Sequence, residues 1–386
     1  MTCREEWLQL AVIQPSPFCN INCDYCYLPS RSETHRMSLD MLRSVARGIF
    51  STDLSKESLV FVWHAGEPLA VPISWYREAF EIIREEAPEG LKIIHTFQSN
   101  GMLIDEKWCE FIKEWDLSIG LSIDGPVRIH DAHRKTRKGE GTHQRAMRGL
   151  NLLRDHGIDF YVIAVVTQDS LGHADEIYDF FVENGIMHFG LNIEEKEGVN
   201  TESSLLPDQD KMVGEFFRTM FRRQKESGGS VTIREFDFAL QRIMSRSQAA
   251  SEKFVYENEQ VRPFGILSVD YQGNFSTFSP EMLGVLTREY GSFSFGSFLE
   301  GGIETAVAGE KFLSAFGDIK AGVEKCRDEC SYFNLCGGGA PANKYFENGS
   351  FNSTETAYCR HVIQLPVSIV LEDLEKGFMP DASVGS

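Results

Sequence analysis

The chain has 386 residues, too many for one small domain and suited to a large α/β domain with a smaller appendage. Hydrophobic residues make up 42%, with 28 Phe, so a core is readily filled, and no apolar run approaches a membrane span. A formal charge of −19, from 57 acidic against 38 basic residues, argues against nucleic acid as a partner and is weakly consistent with a basic peptide.

The N-terminus carries acidic residues and no apolar segment before a cleavage site, so it does not read as a signal peptide; a cytoplasmic, reducing location is expected. From residue 10 to about 226, short apolar runs alternate with longer helical patterns. Strands are expected at Leu10–Gln14, Leu59–His64, Lys92–Gln98, Leu117–Ile123, Phe160–Thr167 and Met187–Ile193. Helices are expected over 39–50, 74–86, 105–115, 143–156, 173–184 and 208–226, with Ser38, Ser74, Asp105 and Thr142 as caps and Gly157 and Gly185 after helix ends. Six βα units in series predict a parallel sheet covered by helices, built as a partial (β/α)6 barrel or as a doubly wound sheet. Periodicity does not separate the two. In either, reactive groups belong at the carboxyl ends of the strands.

After Gly228-Gly229 the alternation stops, which divides the chain into a barrel domain, 1–228, and an appended domain, 229–386. Val261–Phe278 reads as a hairpin turning at Gln272-Gly273-Asn274. Residues 326–360 are rich in Cys and Gly with little regular pattern, and 361–376 reads as a closing helix.

Nine cysteines, an odd number, do not suit a disulfide framework in a reducing setting. Three lie at 19–26 and four at 326–359, leaving Cys3 and Cys109 apart. Two groups of soft ligands point to two metal sites. Cys19-x3-Cys23-x2-Cys26 follows the first strand, and three thiolates at this spacing can bind three irons of a 4Fe-4S cluster while the fourth iron stays open. Zinc is the alternative, although structural zinc usually takes four ligands and His35 is the obvious supplement. In the tail, Cys326-x3-Cys330-x5-Cys336 and, after 22 more residues, Cys359 can complete a closed 4Fe-4S cluster or an all-thiolate zinc site.

The first trio, with Tyr25 before its last cysteine, resembles the radical S-adenosyl-L-methionine (SAM) superfamily. That resemblance implies that SAM chelates the open iron and is split reductively to a 5′-deoxyadenosyl radical. His64-Ala65-Gly66-Glu67-Pro68, after the second strand, resembles the superfamily's Gly-Gly-Glu element, which contacts the SAM amino group. Tyr25, Gly66, Glu67, Gln98, Ser122, Asp124, Arg134 and Asn192 are therefore the expected SAM-site residues, with Arg134 a candidate donor to the methionine carboxylate.

The tail resembles the SPASM extension of radical SAM peptide-modifying enzymes, whose full form carries seven cysteines on two auxiliary clusters. Here the family's Gly-x4-Cys is Gly273 followed by Phe278, and its Cys-Gly-Gly-Gly-Cys-Pro is Cys336-Gly337-Gly338-Gly339-Ala340-Pro341. The missing cysteines belong to the first auxiliary cluster and the retained four match the second, so one auxiliary cluster is expected. Cys23-Asp24-Tyr25-Cys26-Tyr27-Leu28-Pro29, Trp63 to Leu69, Ser122 to Pro126 with His130-Asp131, Gly139 to His143, and Asn192 to Glu195 with Glu197-Gly198 resemble the cyclophane-forming maturases paired with glycine-rich-repeat precursors.

The implied reaction joins an aromatic ring to the β-carbon of a nearby residue in a ribosomal precursor peptide. The auxiliary cluster would accept one electron and a carboxylate one proton, with Asp270, Glu194 and Glu281 as unranked base candidates. A flavodoxin or ferredoxin would supply reducing electrons. Related maturases often carry a separate peptide-recognition domain; none fits before Cys19, so leader recognition is expected on another surface. Thioether or formylglycine formation is the alternative within the family. A zinc-stabilised peptide-binding scaffold is the alternative outside it.

Overall fold

In the computed structural model, residues 8–378 are described, apart from 53, 55–56, 207–208 and 249–254; Cys3 lies outside them. The first half runs β1 (Leu10–Ile13), α1 (Leu39–Phe50), β2 (Ser58–Trp63), α2 (Ile73–Glu86), β3 (Lys92–Ser99), α3 (Glu106–Glu114), β4 (Ser118–Ser122), α4 (Val127–His133), α5 (His143–Asp155), β5 (Phe160–Val166), α6 (Ala174–Glu183), β6 (His188–Ile193) and α7 (Asp210–Glu226). The six strands pair in parallel in chain order. A doubly wound sheet would reverse direction beside its first strand; this order is singly wound, as a partial (β/α)6 barrel requires. Ser38 and Asp105 cap their helices, accepting Met41 N at 3.1 Å and Trp108 N at 3.0 Å. Two expected caps do otherwise. Pro72, with φ at −61°, starts α2 ahead of Ser74, and Thr142 Oγ1 donates to Arg134 O at 2.8 Å.

Beyond Gly229 the same sheet continues on both edges. β7 (Thr232–Ile233) lies parallel to β6 and leads into α8 (Arg234–Gln248), neither of which the sequence pattern announced. The expected hairpin is β8 (Ile266–Val269) and β9 (Asn274–Thr277), and β8 also pairs in parallel with β1. A small ribbon, β10 (Leu286–Thr287) and β11 (Gly291–Ser292), follows, and β12 (Gly296–Ser297) closes the edge beside β9. One ten-stranded sheet therefore runs across residue 228.

The Cys-rich segment is more regular than expected. After α9 (Gly302–Val307), the end of α10 (Glu310–Glu329), α11 (Phe333–Cys336) and α12 (Pro341–Asn348) fall within it, and α13 (Leu365–Phe378) follows. α13 is preceded by a π-helical stretch, Cys359–Gln364. Pro366 has no N–H to give to Val362, so the ladder widens just after Cys359.

Aromatic side chains fill the core at both ends. Trp63 meets Tyr76 edge-on at 5.3 Å and Phe80 at 5.6 Å beneath α2. Phe278 is fully buried, stacked on Phe312 at 6.2 Å and Phe316 at 6.1 Å, so rings fill the space around it. Among the described residues, no helix is long and apolar enough to cross a membrane.

Candidate functional site

The loop after β1 carries Cys19, Cys23 and Cys26 and is pinned from the segment after α4. Asn22 N donates to Lys135 O at 2.7 Å, Asp24 N to His133 O at 3.3 Å, and Arg137 Nε to Cys19 O at 2.9 Å. Burial pushes the Cys19 and Cys23 thiols up to about 12, so they hold their protons until a metal displaces them. Among the described residues, no three His, Cys, Asp or Glu side chains converge on a single ion. Three thiolates on one loop beside an open cavity fit a cluster with one free iron better than structural zinc, which takes four ligands.

Arg134 sits differently from the expectation. It grips Asp124 with two parallel bonds, Nε to Oδ2 at 2.9 Å and Nη2 to Oδ1 at 3.0 Å, while Tyr25 Oη donates to the same carboxylate at 2.5 Å. Asp124 also accepts Val165 N at 2.9 Å. Two of the guanidinium's faces are thus spent on Asp124 rather than held for a ligand carboxylate, and Nη1 points at Cys23 Sγ, 3.9 Å away. Burial opposes the charged Asp124 carboxylate, yet the guanidinium outweighs it and holds its pKa below the usual range. Arg134→Ala is expected to lower unfolding free energy by ~3–5 kcal/mol, since it strands a buried carboxylate. Urea unfolding reads this directly. A loss below ~1 kcal/mol would return the pair to the class of ordinary surface ion pairs.

Glu67 is another expected ligand contact that faces inward. Its carboxylate accepts Ser99 Oγ at 2.8 Å, Asn100 N at 2.9 Å and Leu69 N at 3.0 Å, stapling the β2 end to the β3 end. Burial lifts it to about 7. Gly66 is required by space: at φ +144° a Cβ would lie 2.4 Å from Ser16 O. Gln98 Nε2 donates to Ser122 Oγ at 3.0 Å, and Gln98 Oε1 has no partner among the described residues. Asn192 Oδ1 accepts Arg234 Nη2 at 2.6 Å, which leaves its amide nitrogen on the cavity. The cysteine trio, Tyr25, Gly66, Glu67, Gln98, Ser122, Arg134 and Asn192 line one cavity of about 280 Å³; Asp124 lies behind that wall.

Of the three base candidates, Asp270 lies away from the cavity: it takes Gln272 N and Asn274 N, each at 2.9 Å, and closes the hairpin turn. Glu194 takes Ser204 N at 2.9 Å, braces the loop after β6 and lines the cavity. Glu281 lines it too. With it come two residues that sequence reasoning left out as bases, Glu195 and Glu197, which also line an adjoining cavity of about 550 Å³. All three are raised, each mainly by burial; Glu197 is raised further by the charge of Glu195, and both by that of Glu281. Asn343 Nδ2, from α12, donates to Glu195 at 2.6 Å.

The tail cysteines gather around a small hollow of about 20 Å³ lined by Cys326, Cys330, Cys336 and Cys359. Donors already point at the sulfurs. Gly339 N lies 3.2 Å from Cys336 Sγ, Thr356 Oγ1 3.3 Å from Cys359 Sγ, and Lys344 Nζ 3.2 Å from Cys326 Sγ. A Cβ on Gly339, at φ +75°, would stand 3.4 Å from Cys359 Sγ, so backbone lies close against the sulfurs. Four soft ligands with donors to their sulfurs suit a closed 4Fe-4S cluster. Phe278 and Ala340 are buried and apolar where two further ligands would be needed.

Comparison with known proteins agrees with this layout. The model of the radical SAM superfamily matches residues 13–181. Over 372 residues the chain is 42% identical to an uncharacterized protein of Synechocystis sp., covering 95% of this chain and 92% of that one. Over 172 residues it is 37% identical to the serine-type anaerobic sulfatase-maturating enzyme of Klebsiella aerogenes, covering 44% of this chain and 42% of that enzyme. The match therefore spans less than half of the Klebsiella protein. The structure of native anSMEcpe with bound AdoMet superimposes with a TM-score of 0.76 at 23% identity, covering 96% of this chain and 99% of that one, which shows a shared fold.

Proposed function

From the match of the radical SAM superfamily model to residues 13–181, we propose that the chain is a radical SAM peptide maturase that forms a carbon–carbon cyclophane cross-link in a ribosomal precursor. The observation that carries the proposal is the meeting of two cavities: the one lined by Cys19, Cys23 and Cys26 shares Asn192, Glu195, Glu197 and Glu281 with a larger chamber walled by β6, α8 and the tail. A chamber of that size admits a peptide side chain, and the carboxylates on its wall are candidates to take a substrate proton. The sulfatase-maturating relative from Klebsiella supports action on a polypeptide.

Cys19, Cys23 and Cys26 would hold the cluster that, when bound with SAM, supplies the electron that makes the 5′-deoxyadenosyl radical. The remaining residues bind and orient. Gly66 lets the β2 end pack on the backbone of Ser16 and Phe18, and Gln98 and Ser122 line the cavity as a bonded pair. Glu67 and the Arg134–Asp124 pair hold the strand ends and the cysteine loop in register. Closing a ring bond to a β-carbon leaves one ring proton to be removed, and the Glu195–Glu197 pair, made more basic by burial, is suited to accept it once ionised.

A second reading, oxidation of Ser or Cys to formylglycine, is favoured by the Klebsiella relative. Mass spectrometry of a co-expressed precursor separates the two. A cyclophane gives the loss of two hydrogens, no aldehyde that a hydrazide can trap, unaltered free thiols and no backbone fragments between the joined residues. A hydrazide-reactive product would replace the cross-link with the second reading.

A further inference from the structure

We propose that Lys344 sets the reduction potential of the tail cluster by holding its ammonium against the Cys326 thiolate. Buried lysines are rare unless paired, and Lys344 is only 2% exposed. Its Nζ donates to Gly322 O at 3.0 Å and to Cys326 Sγ at 3.2 Å, and neither acceptor is a carboxylate. Beside a protonated thiol, a buried ammonium would lack a counter-charge; beside the sulfur of an anionic cluster it has one. Its position is specified by the chain, since Pro341 opens α12 and α10 supplies both acceptors.

Adding one electron to a four-thiolate cluster makes it one unit more negative. A fixed positive charge next to a ligand sulfur therefore stabilises the reduced form more than the oxidised one and raises the potential. The neutral donors on Cys336 and Cys359, Gly339 N and Thr356 Oγ1, act in the same direction more weakly. Asn343, the neighbour of Lys344, reaches Glu195 in the chamber, so α12 touches both the proposed proton acceptor and the tail cysteines. A higher potential suits a cluster that takes the electron released when the substrate ring regains aromaticity. The inference rests on the reading of the four tail cysteines as cluster ligands.

The test uses the full chain, anaerobically loaded with iron and sulfide, with Cys19, Cys23 and Cys26 replaced by Ala so that only the tail contributes. The cluster is titrated with dithionite through redox mediators and followed by EPR. Lys344→Gln is expected to keep its iron and move the midpoint to more negative potential, while Lys344→Arg stays near the wild-type residue's value. Iron retained with an unmoved midpoint in Lys344→Gln overturns the inference and leaves the cluster reading intact. A tail that binds zinc but no iron overturns both. Should Lys344→Gln lose its iron, the unsubstituted lysine labelled with 15N at Nζ decides. Pulsed EPR of the reduced cluster is expected to show the nitrogen coupling, and its absence overturns the inference.

Discussion

Replacing Cys19, Cys23 and Cys26 together by Ala is expected to abolish 5′-deoxyadenosine formation under dithionite and to remove about four of about eight irons per chain. No other described cysteine lies in that cavity. Its walls otherwise carry one imidazole, His64, with carboxylates, amides, hydroxyls, guanidinium and apolar groups, a set that cannot replace three thiolates on iron. The half of the iron that remains is informative, because it reports the tail separately. The tail retains four cysteines around one hollow, whereas Phe278 is stacked among Phe312 and Phe316 where the family would supply another ligand. A ring packed on its neighbours leaves no space for a second auxiliary cluster. SAM cleavage that survives the triple replacement would end the central claim. Near twelve irons in the unsubstituted chain, or zinc in the variant, would show instead that the tail has been misassigned.

The barrel half was legible because its signals are local. Six apolar runs and the caps at Ser38 and Asp105 are read within a few residues, and the strands fall within two residues of the expected bounds. The cysteine loop followed from spacing alone. What escaped depended on contacts remote in sequence. β7 is two residues long, too short to carry a period, and β8 joins β1 across some 250 positions. Asp270 could be a base or a turn residue until its bonds to Gln272 and Asn274 were known. Arg134 was expected to give two bonds to a ligand carboxylate, but it gives them to Asp124, which follows β4 in the same βα unit. Glu194 and Glu195 read either as functional groups or as solvated rim residues. The tail supplies what the sequence lacked, since Asn343 on α12 bonds Glu195, half-buried beside the buried Glu197.

That burial gives the last prediction two halves of opposite sign. Glu195 is pushed up to about 8 by burial and by the Glu281 charge, and Glu197 is raised with it; the steps belong to the pair. A base must first lose its proton, so cross-link formation should rise as pH climbs toward about 8. Stability should do the reverse. A carboxylate whose folded pKa exceeds its unfolded one keeps its full stabilising contribution below the ordinary value near 4.5 and loses it as pH rises through the folded value. Urea midpoints should therefore fall across that window, and Glu195→Gln with Glu197→Gln should flatten the fall. Glu195→Gln alone should cut cross-linked peptide by ~10²-fold or more while 5′-deoxyadenosine still forms, uncoupling SAM consumption from product. Glu281→Gln separates neighbour from base. Removing its charge eases ionisation of the pair and should slide the pH profile to the acid side with product still made. If Glu281→Gln instead stops cross-linking and Glu195→Gln does not, the proton goes to Glu281 and the pair only shapes its field.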